Sequence, residues 1–215
     1  TGEIIKGHVT LGSLRVRQDY LIAQGLLSPF ESEDSDTSPM TELALARLRQ
    51  LSAHEVGHTL GISHNFASSM QNRASVMDYP HPLVGLNSNG SIDLSNAYDT
   101  GIGEWDKVAS AYGYSEFGED AHEKIALDRM LQASIDEGLA FISDQDARPA
   151  GGAHPDAHLW DNGTDASDEL VRILGVRENA LRRFSENSIP VGTPFSQLAD
   201  VLAPLFLSHR YQVDA

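Results

Sequence analysis

The sequence predicts an α+β chain, predominantly helical and with few strands, on three observations. Apolar residues recur at helical spacing in six separate segments of the 215 residues. Strand-like material is concentrated in Glu3 to Leu14, where Ile4, Ile5, Val9 and Leu11 stand among Gly and polar residues. Between Ser63 and Asn96 the residues Gly, Asn, Ser and Pro dominate, and an irregular stretch of that length in a compact domain is usually functional. With 40% apolar residues the chain can bury one sizeable core and a second small one.

The elements follow in order. Val16, Tyr20, Ala23 and Leu27 predict a helix from Arg15 that ends between Gly25 and Pro29. The acidic run Glu31 to Asp36 reads as a solvated loop or a calcium loop, although the EF-hand spacing is missing. Thr41 is the expected N-cap of a helix of good helix formers that reaches about Leu60 and stops at Gly61. Trp105 to Tyr112 and Ala121 to Ile135 predict two further helices, with a loop from Gly138 to Pro155 and a candidate short strand at Leu139 to Ile142. Asp168 to Phe184 is another helix. The stripe Leu198, Val201, Leu202, Leu205 and Phe206 predicts a last one over Pro194 to Tyr211, kinked at Pro204.

Charge excludes some partners. With 31 Asp and Glu against 15 Lys and Arg, a net charge of -16 repels phosphate backbones and anionic headgroups, so nucleic acid and membrane insertion are not expected. No apolar run approaches the roughly 20 residues that span a bilayer. The chain has no Cys, which removes disulfides and thiolate metal sites.

One segment points to chemistry. His54-Glu55-Val56-Gly57-His58-Thr59-Leu60-Gly61-Ile62-Ser63-His64 places two histidines four apart on one helical face, where their rings can share an ion. A straight helix cannot aim a third ligand there six residues on. Gly61 can, by taking φ > 0 and turning the chain so that His64 returns. Three neutral imidazoles suit Zn²⁺ and leave a fourth position for a water whose pKa the metal brings to about 7. Glu55, beside the first ligand, is placed to take that water's proton and pass it to a leaving amine.

This extended motif resembles that of the metzincins rather than the gluzincins, whose short motif is followed by a distant Glu. Ser75-Val76-Met77-Asp78-Tyr79 resembles the metzincin turn that carries a methionine beneath the metal. The resemblance implies a metalloendopeptidase with zinc held by His54, His58 and His64, Glu55 as base, and Met77 as an apolar floor. Tyr79 is similar to the tyrosine of astacins and serralysins, which implies a weak fifth ligand or an oxyanion donor; packing before Pro80 is the other reading. Asn65 departs from the Asp or Glu of better-known families. His64-Asn65-Phe66 and Tyr98 to Tyr114 are similar to large bacterial zinc-dependent metalloproteases, secreted or periplasmic, which implies a periplasmic or extracellular address.

The resemblance sets a domain expectation: residues 1–115 as a partial metzincin catalytic domain and 116–215 as a helical C-terminal region packed on it. Metzincins carry a sheet above the cleft whose edge strand pairs with substrate. Only 53 residues precede His54, so the chain is expected to be a piece that needs upstream segments of the same protein, or a second copy paired through exposed strand edges. The expected partner in catalysis is a peptide or protein substrate. A zinc-stabilised scaffold or binding module, and a zinc hydrolase of non-peptide substrates, are the competing readings; retention of Glu55 speaks against the scaffold. His81 reads either as lining the substrate pocket or as a surface loop residue. His154 and His158 read as a second metal site or a structured turn, and His8, His122 and His209 as ordinary residues.

Overall fold

A computed structural model describes residues 3–31, 35–118, 122–152 and 154–213. The chain forms two compact units that interleave along the sequence: Thr1–Val9, Ala53–Pro80 and Gly101–Asp165 in one, and Thr10–Ser52, His81–Thr100 and Ala166–Ala215 in the other. Here the boundary between Ser52 and Ala53 falls inside a helix. Among the described residues no helix is long and apolar enough to cross a membrane.

The second unit holds α1 (Ser13–Leu27), the first part of α2 (Ser38–Thr59), a small antiparallel pair, and the helices α6 (Ala166–Arg183), α7 (Gln197–Phe206) and α8 (Arg210–Val213). Gly25 lets α1 approach α7 closely, since a Cβ there would lie 3.0 Å from the Val201 carbonyl oxygen. Strands β1 (Gly85–Leu86) and β2 (Ile92–Asp93) pair Gly85 with Asp93 and Leu86 with Ile92. Leu26, Val84, Ile92, Val176, Ala180 and Leu205 form one buried cluster. Ala23, Met40, Leu43, Ala97 and Tyr98 form another.

Helix α2 starts three residues before the expected cap. Asp36 accepts hydrogen bonds from the Ser38 N–H (2.9 Å) and hydroxyl (2.6 Å), so an Asp in the acidic run supports the helix start and Thr41 lies within the first turns. Ser32 to Asp34 of that run lie outside the described residues. The last predicted helix is shorter than expected. Turn-type bonds such as Gln197 N–H to Pro194 O precede α7, and Pro204, which has no N–H to donate, sits two residues before its end.

The first unit, which carries the metal motif, holds the end of α2, a 3₁₀ turn at Phe66–Gln71, α3 (Glu104–Tyr114), α4 (Glu123–Asp136) and the single turn α5 (Asp144–Ala147). Ala121, the expected start of α4, lies outside the described residues. Phe66, Ala147 and Ala157 are buried together, with Ile142, Tyr79 and Leu159 packed against them. Gly103 lets α3 begin hard against the chain at Ala74. A Cβ there would fall 1.9 Å from the Ala74 carbonyl oxygen, and the Trp105 N–H donates to that same oxygen at 2.9 Å.

Glu3 to Leu14 was expected to supply strands. Residues 3–12 form none; α1 begins at Ser13, and Gly7 lies against the Thr59 side chain near the end of α2. No strand among the described residues pairs with this segment, and Ile5 is 94% exposed, so neither hydrogen bonds nor burial hold it in a ladder. The edge on which pairing with a second copy was expected is therefore not formed by these residues. Leu139 to Ile142 likewise forms no strand.

Candidate metal centre

Helix α2 ends in a Schellman turn. The Gly61 N–H donates to His58 O (3.0 Å) and the Ile62 N–H to Gly57 O (3.1 Å), with Gly61 at φ 80°, the left-handed conformation its missing side chain permits. The turn satisfies the helix's last carbonyls and reverses the chain, so that His64 comes back toward His54 and His58. Nε2 of His58 then stands 3.1 Å from Nε2 of His54 and 3.2 Å from Nε2 of His64.

The other ring nitrogens decide what that cluster can do. His54 Nδ1 donates to Val76 O at 2.7 Å and His58 Nδ1 to Ile62 O at 2.9 Å. His64 Nδ1 faces the Asp144 carboxylate at 2.9 and 3.1 Å. A neutral imidazole has one N–H, and in all three rings the acceptor beside Nδ1 claims it. Three Nε2 lone pairs therefore converge with no proton between them. Tetrahedral zinc with bonds of about 2.0–2.1 Å needs nitrogens on the order of 3.3 Å apart, so the donor set fits such an ion. Among the described residues this is the one such grouping of His, Cys, Asp and Glu.

Beneath the helix, Met77 is fully buried against Gly57, the residue between the two helical histidines. A Cβ on Gly57 would fall 2.3 Å from the Met77 sulfur, so the sulfur fills the place of the missing side chain. Asp106 of α3 holds the turn in position. It accepts from the Ser75 hydroxyl (2.5 Å), the Val76 N–H (2.8 Å) and the Gly103 N–H (2.7 Å), and it is almost fully buried. The Val76 peptide thus links Asp106 on its N–H side to His54 on its carbonyl side. Burial pushes Asp78, the next turn residue, up to about 7, against hydrogen bonds from Ser68 and the Tyr79 N–H.

Tyr79 stacks on the His54 ring at 5.1 Å, and its hydroxyl lies 2.8 Å from His64 Nε2, at the point where the three donors converge. The Trp160 N–H donates to the Tyr79 carbonyl at 2.8 Å. Glu55 is half-buried on the same helix, and its carboxylate makes no hydrogen bond or ion pair with a described residue.

Asn65 is buried completely, and its amide joins two distant segments. Nδ2 donates to Ala140 O (2.9 Å), and Oδ1 accepts from the Ile142 N–H (3.1 Å) and the Ala67 N–H (3.3 Å). Neither Asp106 nor Asp144 was singled out from sequence. The only signal for either is an acidic residue in the first turn of a short helix, which is common.

The remaining candidates lie elsewhere. His81 belongs to the second unit, where it lines a cavity of about 40 Å³ with Ile22, Leu26, Val176 and Leu205; burial pushes it down to about 4. The Asp156 N–H donates to His154 Nδ1 at 3.1 Å, and Ala157 beside it is buried; His154 and His158 join no metal-ligand grouping among the described residues.

A mostly helical α+β chain, three imidazoles converging at the end of one helix and a buried methionine beneath it define a metzincin. A family model described as Met-zincin matches residues 36–215, and the chain belongs to that family. Membership implies a zinc-dependent metallopeptidase that takes protein or peptide substrates. No curated protein and no solved structure matches the chain.

Proposed function

We propose that this chain hydrolyses peptide bonds as an endopeptidase, with His54, His58 and His64 as its zinc ligands. The observation that carries the reading is the convergence of three Nε2 atoms, each ring with its Nδ1 at an acceptor, at the end of the helix that also carries Glu55. Zinc, when bound, supplies Lewis acidity at that point. Glu55 takes the proton of the attacking water and delivers it to the leaving amine. The Tyr79 hydroxyl donates to the oxyanion of the tetrahedral species, a role its distance of 2.8 Å from His64 Nε2 supports. Met77 and Asp106 touch no substrate; they keep the turn and His54 in register. The resemblance to secreted and periplasmic bacterial enzymes supports a location outside the cytoplasm, and a chain without Cys is compatible with it. Upstream segments of the same protein are the proposed source of the substrate-pairing sheet.

The test is cleavage of a denatured protein mixture by the zinc-loaded chain, alone and joined to its upstream sequence, with and without chelator. Glu55→Gln is expected to keep zinc and lose about 10²–10⁴-fold in kcat. Tyr79→Phe is expected to lose less. Loss of no more than about tenfold in Glu55→Gln removes Glu55 as the base, and unchanged kinetics in Tyr79→Phe assign that residue to packing.

A further inference from the structure

The three histidines are not held alike. Main-chain carbonyls fix His54 and His58, whereas His64 is fixed by a side chain 80 residues away, the Asp144 carboxylate at 2.9 Å. That carboxylate is built into place. Asn65, next in sequence to His64, clamps Ala140 and Ile142 through its buried amide, and the Phe66 N–H donates to Ile142 O at 2.9 Å. Two residues beyond Ile142, Asp144 opens α5, whose last residue Ala147 is packed with Phe66 in the buried cluster. The chain on both sides of the His64–Asp144 pair is therefore fixed, although the Asp144 side chain is itself 62% exposed.

We propose that Asp144 is a positioning residue that orients the His64 ring and raises its strength as a metal ligand, with Asn65 as the latch that brings it there. The proposal rests on His64 being a ligand, as put forward above. Two effects combine. Accepting the Nδ1–H holds the ring in one tautomer, with Nε2 bare toward the other two histidines. The negative charge adds electron density to an imidazole that must donate to a dication. His64 needs this more than its companions, since it stands beyond the end of α2 and no helical frame aims its ring.

The experiment measures zinc affinity of the metal-free chain by competition with a chromophoric chelator, and the visible absorption of the cobalt-loaded chain, for the parent, Asp144→Asn, Asp144→Ala, Asn65→Ala and His64→Ala. Loss of an outer carboxylate of this kind weakens metal binding about 10- to 100-fold. Asp144→Ala is expected to show that loss, and Asp144→Asn a smaller one, because an amide oxygen still accepts the Nδ1–H but brings no charge. Both should shift the cobalt spectrum and leave the thermal midpoint of the metal-free chain where it was. Asn65→Ala should weaken zinc in the same direction. Parent-like affinity and spectrum in Asp144→Ala, with His64→Ala weakened, overturn the role of Asp144 and leave the ligand set standing. Parent-like affinity in His64→Ala overturns both.

Discussion

Near the metal centre two supports differ in kind. One is local: Gly61 and Ile62 cap α2 and hold His58 within four residues of itself. The other is distant: Asp106 grips the Met77 turn from about 30 residues away, and that turn holds His54. The local support is made of backbone geometry, so only one side chain, the one missing at Gly61, is critical to it. The distant one is a buried carboxylate with three donors aimed at it, so its failure strands several polar groups at once. The difference teaches where the centre is fragile: two of its histidines stand on a helix, but the floor beneath them is set by tertiary packing.

Asp106→Ala should do the greater damage. It removes the carboxylate that accepts from the Val76 N–H, the Gly103 N–H and the Ser75 hydroxyl, at a cost on the order of 3 kcal/mol. Denaturant unfolding of the metal-free chain measures this, and zinc affinity should fall with it because His54 loses its anchor. A midpoint unchanged from the parent would mean that the turn holds without α3.

Gly61→Ala attacks the local support and should cost less, about 1–2 kcal/mol for a left-handed conformation forced on a residue with a Cβ. Nothing else lies within 4 Å of that Cβ, so the penalty is conformational alone. The same unfolding measurement ranks the two. A Gly61→Ala loss equal to that of Asp106→Ala would remove the distinction between the supports.

The same contrast explains what could be read from sequence. Histidines at i and i+4 followed by a helix-ending Gly specify their own geometry, and the structure groups all three of those rings. The helices α1, α3, α4 and α6 were legible from their spacing of apolar residues, to within two residues where their ends are described. The strands expected at Glu3 to Leu14 were not formed, because a strand is specified by its partner and alternation alone supplies none. Asp36 went unread as the support for the start of α2, hidden in an acidic run where every residue is a plausible capping group. Asp144 and the Asn65 clamp bridge 80 and 77 residues, and no local pattern encodes a pairing at that range.

The central claim is that one metal ion sits among His54, His58 and His64, and metal analysis of the purified chain tests it most directly. The chain, never exposed to chelator, should carry about one zinc per molecule, the number that a single three-histidine site holds. Each of His54→Ala, His58→Ala and His64→Ala should lose most of it while remaining folded by circular dichroism. Full zinc occupancy in His64→Ala would contradict the account, because the ion would then need only the two helical histidines.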